Sequence, residues 1–140
     1  MGSGARESDG VAATVRQIKG GIGYVERAYA DQNRLTTALL LNKAGNFVAP
    51  TIASFEAAAV NADWSSVENF AIDLNNQPGV ESWPIASATF VLLPTNPKNI
   101  DRSTAVKKFF DWCFTHGSDI AVQLLYVPLP DNVRSAIRTA

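Results

Sequence analysis

Short helix-like and strand-like segments alternate along this chain, and that alternation predicts an α/β fold. Three observations carry it. Val106, Phe109, Phe110 and Cys113 recur at the i, i+3, i+4, i+7 spacing of one helix face. Residues 86–93 form a β-rich, almost uninterrupted apolar run, as a strand covered on both faces of its sheet would need. With 140 residues, 46% of them hydrophobic, the chain has the length of one ordinary domain and can bury roughly two thirds of its unfolded surface.

The elements follow in order. Residues 2–10 are small and polar, and Ser8-Asp9 supplies good N-caps for a helix starting near Gly10. Val11, Val15 and Ile18 lie on one face of that helix, which Gly20-Gly21 closes. Ile22-Gly23-Tyr24-Val25 reads as a short buried strand. Residues 26–33 read as a second helix, opening with Glu26 where the helix dipole favours a carboxylate. Residues 36–42 and 47–49 flank Lys43-Ala44-Gly45-Asn46, whose glycine and asparagine tolerate the positive φ of a tight hairpin. Pro50-Thr51 opens a helix with Ile52, Phe55 and Ala59 on one side. Residues 63–76 mix Trp64, Val67, Phe70, Ile72 and Leu74 without a clean period, so a partly helical or irregular segment is expected up to Pro78-Gly79. After the strand at 86–93, Pro94-Thr95-Asn96-Pro97 breaks the chain. Asp101 or Ser103 is the expected cap of the long helix bearing the Phe109 stripe, which ends at His116-Gly117. A short helix from Ser118 or Asp119 to Leu125 and a last one after Pro128-Leu129-Pro130, with Val133 and Ile137 inward, complete the chain.

Charge and length exclude several classes. A net charge of -1 with 18% charged residues gives no strong attraction to nucleic acid or anionic lipid. The longest apolar stretches, at 89–93 and 120–127, fall far short of the roughly 20 residues that cross a bilayer. Met1-Gly2-Ser3-Gly4-Ala5-Arg6 has neither the apolar core nor the cleavage pattern of a secretory signal. Cys113 is the single cysteine, so no internal disulfide is expected, and the compartment cannot be read from it.

Few residues have the chemistry of a site. Gly2-Ser3-Gly4 followed by Arg6 has the composition of an anion-binding loop, because glycine exposes backbone N–H groups and arginine offers a planar fork. No strand precedes it, as a phosphate cradle would require, and a flexible loop explains the same residues. Cys113 and His116 share a helix at a spacing that suits two metal ligands, but nothing elsewhere supplies two more sulfurs or imidazoles. Cys113 reads as a small core residue and His116 as a group suited to the last helical turn. The scarcity also counts against a Cys-His or Ser-His-Asp catalyst. Glu56, Asp63, Glu68 and Asp73 form no pair of fixed separation and read as solvated faces. Trp64, Trp83 and Trp112 could stack on a sugar or base, but their apolar neighbours favour packing.

Five blocks remain: Asp9-Gly10-Val11-Ala12-Ala13-Thr14-Val15, Gly21-Ile22-Gly23-Tyr24-Val25-Glu26, Ser82-Trp83-Pro84-Ile85, Lys108-Phe109-Phe110-Asp111-Trp112 and Val127-Pro128-Leu129-Pro130-Asp131. In this order they resemble the C-terminal part of the phosphate-binding protein family that serves the bacterial ABC phosphate importer. The resemblance implies a partial type II periplasmic-binding-protein fold. Residues 1–82 would belong to the second lobe, 83–94 to a return strand through the hinge, and 95–140 to C-terminal helices that return to the first lobe. Gly2-Ser3-Gly4-Ala5 matches the family's glycine-rich loop, from which Ala5 and Ser8 depart. The family's phosphate ligands fall upstream of the matched segment, so no ligand-binding, catalytic or metal residue is carried onto this chain, and no cofactor is implied.

The expected function is therefore that of a fragment of a substrate-binding component. It would serve inorganic phosphate and a membrane permease, outside the cytoplasm, without catalysis. Two alternatives stand beside it. One is a remnant that self-associates to cover apolar surface meant for the missing strands, a possible homo-oligomer. The other is a small phosphate-ester enzyme, for which the chain offers no set of nucleophile, base and metal.

Overall fold

A computed structural model describes residues 2–139, which divide into two compact units at residues 39 and 40. Most of the ordered structure is helical, with one small sheet.

The first unit holds α1 (Glu7–Gln17) and α2 (Arg27–Gln32), which pack on each other. Helix α1 starts three residues before Gly10. Ser8 and Asp9 therefore lie inside its first turn, Arg6 takes the cap position without a side-chain bond, and Glu7 and Asp9 face the positive end of the dipole. Ala12 is fully buried, while Ile18 is about half exposed. Gly20, at φ +78°, turns the chain after the helix. The strand expected at 22–25 does not form. Ile22 is 97% and Tyr24 93% exposed. Gly23 lies so close to the helix that a Cβ there would meet Val15 Cγ2 at 2.7 Å and Val11 Cγ1 at 2.9 Å. The segment thus crosses the apolar face of α1 at its glycine, with Ile22 and Tyr24 exposed on either side.

The second unit opens with a hairpin of β1 (Leu40–Leu41) and β2 (Phe47–Val48), antiparallel, with Leu40 opposite Val48 and Leu41 opposite Phe47. Gly45, at φ +84°, supplies the left-handed residue of its turn. Helix α3 (Ile52–Val60) follows, closed at its start by a reciprocal cap. Thr51 Oγ1 accepts from Ser54 N–H at 3.1 Å, and Ser54 Oγ accepts from Thr51 N–H at 2.9 Å. Two 3₁₀ turns, Trp64–Ser66 and Glu68–Phe70, account for the irregular pattern read in this region. Ala58, Ala62, Leu74 and Ala86 form the buried cluster, with Phe55, Trp64, Ile72 and Ala88 packed against it.

Residues 86–93 carry no strand among the described residues, and the expected burial on both faces is absent. Phe90 and Val91 are about half exposed and Leu92 is 92% exposed. β-Rich composition fits a pleated surface, but a strand exists only where a neighbour completes its ladder.

The C-terminal helices are α4 (Ile100–His116), α5 (Ser118–Gln123) and α6 (Asp131–Thr139). Asn99 caps α4 in place of Asp101 or Ser103, its Oδ1 accepting from Arg102 N–H at 2.9 Å. Val106, Phe110 and Cys113 are half-buried, but Phe109 is 58% exposed, so the stripe is covered along one edge only. Val133 of α6 is buried and Ile137 half-buried, as their spacing predicts. No helix among the described residues is long and apolar enough to cross a membrane.

Candidate functional site

The most constrained polar centre lies where the hairpin, α3 and the segment 78–84 meet. Buried Asn42 saturates its side chain there. Its Nδ2 donates to the carbonyl oxygens of Gly79 at 3.2 Å, Val80 at 3.0 Å and Ser82 at 3.2 Å, while its Oδ1 accepts from Ala44 N–H at 3.1 Å and Asn46 N–H at 3.0 Å. Ser82, with no exposed surface, donates from Oγ to the Pro78 carbonyl at 2.5 Å and accepts from Asn61 Nδ2 at 3.3 Å. Trp83 N–H bonds the Ser54 carbonyl at 3.0 Å, and Asn76 N–H bonds the Pro84 carbonyl at 2.9 Å. The side chains of Asn42 and Ser82 are spent on internal partners, most of them backbone. These bonds fix the Ser82-Trp83-Pro84-Ile85 block.

A second polar cluster joins α4, α5 and α6. Arg134 donates to the Phe114 carbonyl at 3.0 Å and to Ser118 Oγ at 2.6 Å, and pairs with Asp131. Arg138 Nε meets Asp111 Oδ1 at 2.6 Å. An open groove of about 340 Å³ is lined by Phe114, Thr115, Asp131, Arg134, Ser135 and Arg138. An anion entering it would compete with carboxylates already paired to both arginines. Spacing along the sequence does not reveal this cluster, because its partners come from three helices.

The residues singled out in the sequence stay apart. The Gly2–Gly4 loop is exposed, and Arg6, 93% exposed, lies 3.8 Å from Glu7. Cys113 is half-buried. His116 is exposed, its Nδ1 is 2.7 Å from Thr115 Oγ1, and its ring stacks on Trp112 at 5.7 Å. Among the described residues no three metal-ligating side chains come together. Glu56, Asp63, Glu68 and Asp73 are all exposed. Asp63 and Asp73 serve their own turns, accepting from Ser65 N–H at 3.1 Å and Asn75 N–H at 2.9 Å. Trp83 is buried against Phe55, and Trp64 packs on the core with its Nε1 donating to the Ala59 carbonyl at 2.8 Å. Trp112 is about half exposed and its ring stacks on His116.

No family model matches the chain. Individual relatives do. The chain is 46% identical over 132 residues to the phosphate-binding protein PstS of Xylella fastidiosa strain Temecula1, covering 94% of this chain and 36% of that protein. It is 47% identical over 137 residues to phosphate-binding protein PstS of Pasteurella multocida, covering 98% of this chain and 40% of the relative. With phosphate-binding protein PstS 3 of Mycobacterium tuberculosis strain H37Rv the identity is 32% over 147 residues, all of this chain and 39% of the other. Over nearly its whole length the chain is similar to proteins named phosphate-binding protein PstS, of whose own length it spans about two fifths.

Proposed function

We propose that this chain is a non-catalytic piece of the substrate-binding component of an ABC importer for inorganic phosphate. Identity of 46–47% running through 94–98% of the chain carries that assignment. On it, residues 1–82 belong to the second lobe of a type II periplasmic-binding-protein fold, 83–94 to the return through the hinge, and 95–140 to helices of the first lobe. Phosphate is held by groups of the intact protein that lie outside this segment. The two polar clusters support this, since both are committed to internal partners. The membrane permease is the partner of the assembled receptor, and the periplasm its compartment.

The test is a chimera in which this chain replaces the matched segment of the Pasteurella multocida relative. Calorimetry is expected to show phosphate binding by the chimera, and weak or no binding by the chain alone. Failure of a folded chimera to bind would overturn the phosphate assignment. A micromolar or tighter Kd for the chain alone would overturn the placement of the ligands.

One observation favours a second reading, a self-associating remnant. Ile22, Tyr24 and Leu92 are each more than nine-tenths exposed, and Phe109, Leu124 and Tyr126 more than half. Light scattering coupled to size exclusion decides it, a concentration-independent monomer being the contrary result.

A further inference from the structure

We propose that the outer edge of β2 is a self-association surface, on which a second copy of this chain lays its own β2 antiparallel, with Phe47 opposite Phe47 of the partner subunit. The surface lies within the second unit and contains none of the exposed residues that favour the self-associating reading above. Its first support is the backbone. Asn42 N–H bonds the Asn46 carbonyl at 2.9 Å, so that pair is a hydrogen-bonded one and the next, Leu41 with Phe47, is not. The Phe47 N–H and carbonyl therefore point away from β1. Among the described residues nothing meets them, and the Ala49 N–H and the Gly45 carbonyl are also without a partner. A two-fold pairing centred on Phe47 sets Gly45 opposite the partner's Ala49. Phe47 then exchanges both of its bonds with its counterpart, and each Ala49 N–H meets the partner's Gly45 carbonyl, so the groups left open on one edge are those the other copy needs. The product is a sheet of four strands in place of two, and a two-stranded sheet is marginal by itself.

The second support is the side chains around that edge. Leu41 and Phe47, paired across the hairpin, are 56% and 71% exposed. Val80, 66% exposed, lines an open groove of about 400 Å³ together with Phe47, Thr51 and Glu81. Thr51 and Ser54 spend their hydroxyls on the start of α3, and Glu81 is the one charged side chain lining that groove. Among the described residues neither Glu81 nor Lys43 enters an ion pair. The same two-fold register sets Lys43, in the hairpin turn, opposite the partner's Thr51 and so at the groove that the partner's Glu81 lines. Across the joint the exposed Phe47 rings meet as a cross-strand aromatic pair. An apolar edge that carries both a cation and an anion at these places is complementary to a copy of itself, which selects a second copy as the occupant.

Sedimentation equilibrium on the chain, with hydrogen exchange at low and high concentration, tests the proposal. A concentration-dependent dimer is expected, and the Phe47 and Ala49 amides are expected to become protected as it forms. Lys43→Glu and Glu81→Lys should each weaken dimerisation roughly fivefold, since two exposed ion pairs are lost per dimer, and the doubly reversed variant should restore it. Phe47→Lys is expected to abolish the dimer and to leave the melting temperature of the dilute monomer unchanged. Silent single reversals, or a double reversal that does not rescue, would overturn the register and with it the pairing. A chain that stays monomeric at millimolar concentration would overturn both this inference and the self-associating reading. A dimer that survives Phe47→Lys but is lost in Leu92→Ser would overturn this inference and support that reading. None of these results bears on the phosphate assignment, which the chimera tests.

Discussion

The side-chain amide of Asn42 donates to the carbonyl oxygen of Ser82 at 3.2 Å, linking the hairpin turn to a buried serine 40 positions away. Two further carbonyls, of Gly79 and Val80, share the same nitrogen. Asn42→Ala would remove the partner of three carbonyls and two turn N–H groups, of which the bond to the Ser82 carbonyl is buried and the others are part-buried. Given about 1–3 kcal/mol for each buried group left unsatisfied, partly offset by relaxation, a loss of about 2–4 kcal/mol is expected. Urea denaturation measures it. Asn42→Asp keeps the acceptor but removes the donor and should also destabilise, so near-wild-type stability of both variants would contradict the role assigned to the knot.

Gly79 tests the same centre from the backbone. Its φ of +110° is a conformation that L side chains rarely adopt, and a Cβ there would run into the Asn61 side-chain amide and lie 2.7 Å from Ser82 Oγ. Gly79→Ala therefore combines strain with a clash against two hydrogen-bonded groups, and a cost of about 2 kcal/mol or more is expected. Gly2→Ala, in open space, is the matched control and should be silent.

These positions show what could be read from the sequence. The hairpin and α3 were legible because Gly45 and Thr51 act on neighbours three or four residues away. The Asn42 knot is not legible, because the three carbonyls that its Nδ2 reaches are 37 to 40 residues distant and an asparagine in a turn gives no sign of them. Residues 22–25 and 86–93 have the composition of strands, which reports a surface fit for pairing and not the presence of a partner. The cap of α4 fell to Asn99 when Asp101 and Ser103 were equally suited by residue type, since the last break in the chain, at Pro97, fixes the helix start only to within a few residues. As for the site, the blocks point to phosphate-binding relatives, whereas the polar cluster around Arg134 requires three helices to be in place.

Arg134 is the centre of that cluster. It holds the Phe114 carbonyl at the end of α4, Ser118 at the start of α5, and Asp131 on its own helix. Arg134→Ala is expected to cost about 1–3 kcal/mol, through loss of charge-assisted bonds by a side chain that is mostly covered. Arg134→Lys should recover only part of this, because one ammonium cannot reproduce the fork. Equal stability of the lysine variant and the native chain in thermal melts would show that charge alone matters here.

Zinc offers a check on Cys113 and His116. The imidazole is engaged with Thr115 and Trp112, and no third ligand is near among the described residues. Equimolar zinc is expected to leave the melting temperature where it was, in the native chain and in Cys113→Ser alike. A rise of several degrees that disappears in His116→Ala would reveal a ligand set that forms only on binding.

Phe109 and Val133 separate what is packed in the helical segment from what only has the right spacing. Val133 is 3% exposed and Phe109 is 58% exposed, although the larger side chain sits on the clearer sequence stripe. Val133→Ala removes two buried methyl groups and leaves a void, which predicts a loss of about 1–3 kcal/mol. Phe109→Ser removes a side chain that is mostly in contact with water but keeps an edge contact with Phe110, so its effect on the chain alone should be smaller, about 1 kcal/mol or less. Parallel denaturation of the two variants gives the comparison directly. The reverse order, a costly Phe109→Ser and a neutral Val133→Ala, would mean that the stripe of α4 is covered in solution by something that displaces α6. The ion pair between Arg138 and Asp111 would then have to break as well, and that can be tested independently by asking whether Arg138→Ala still destabilises the chain.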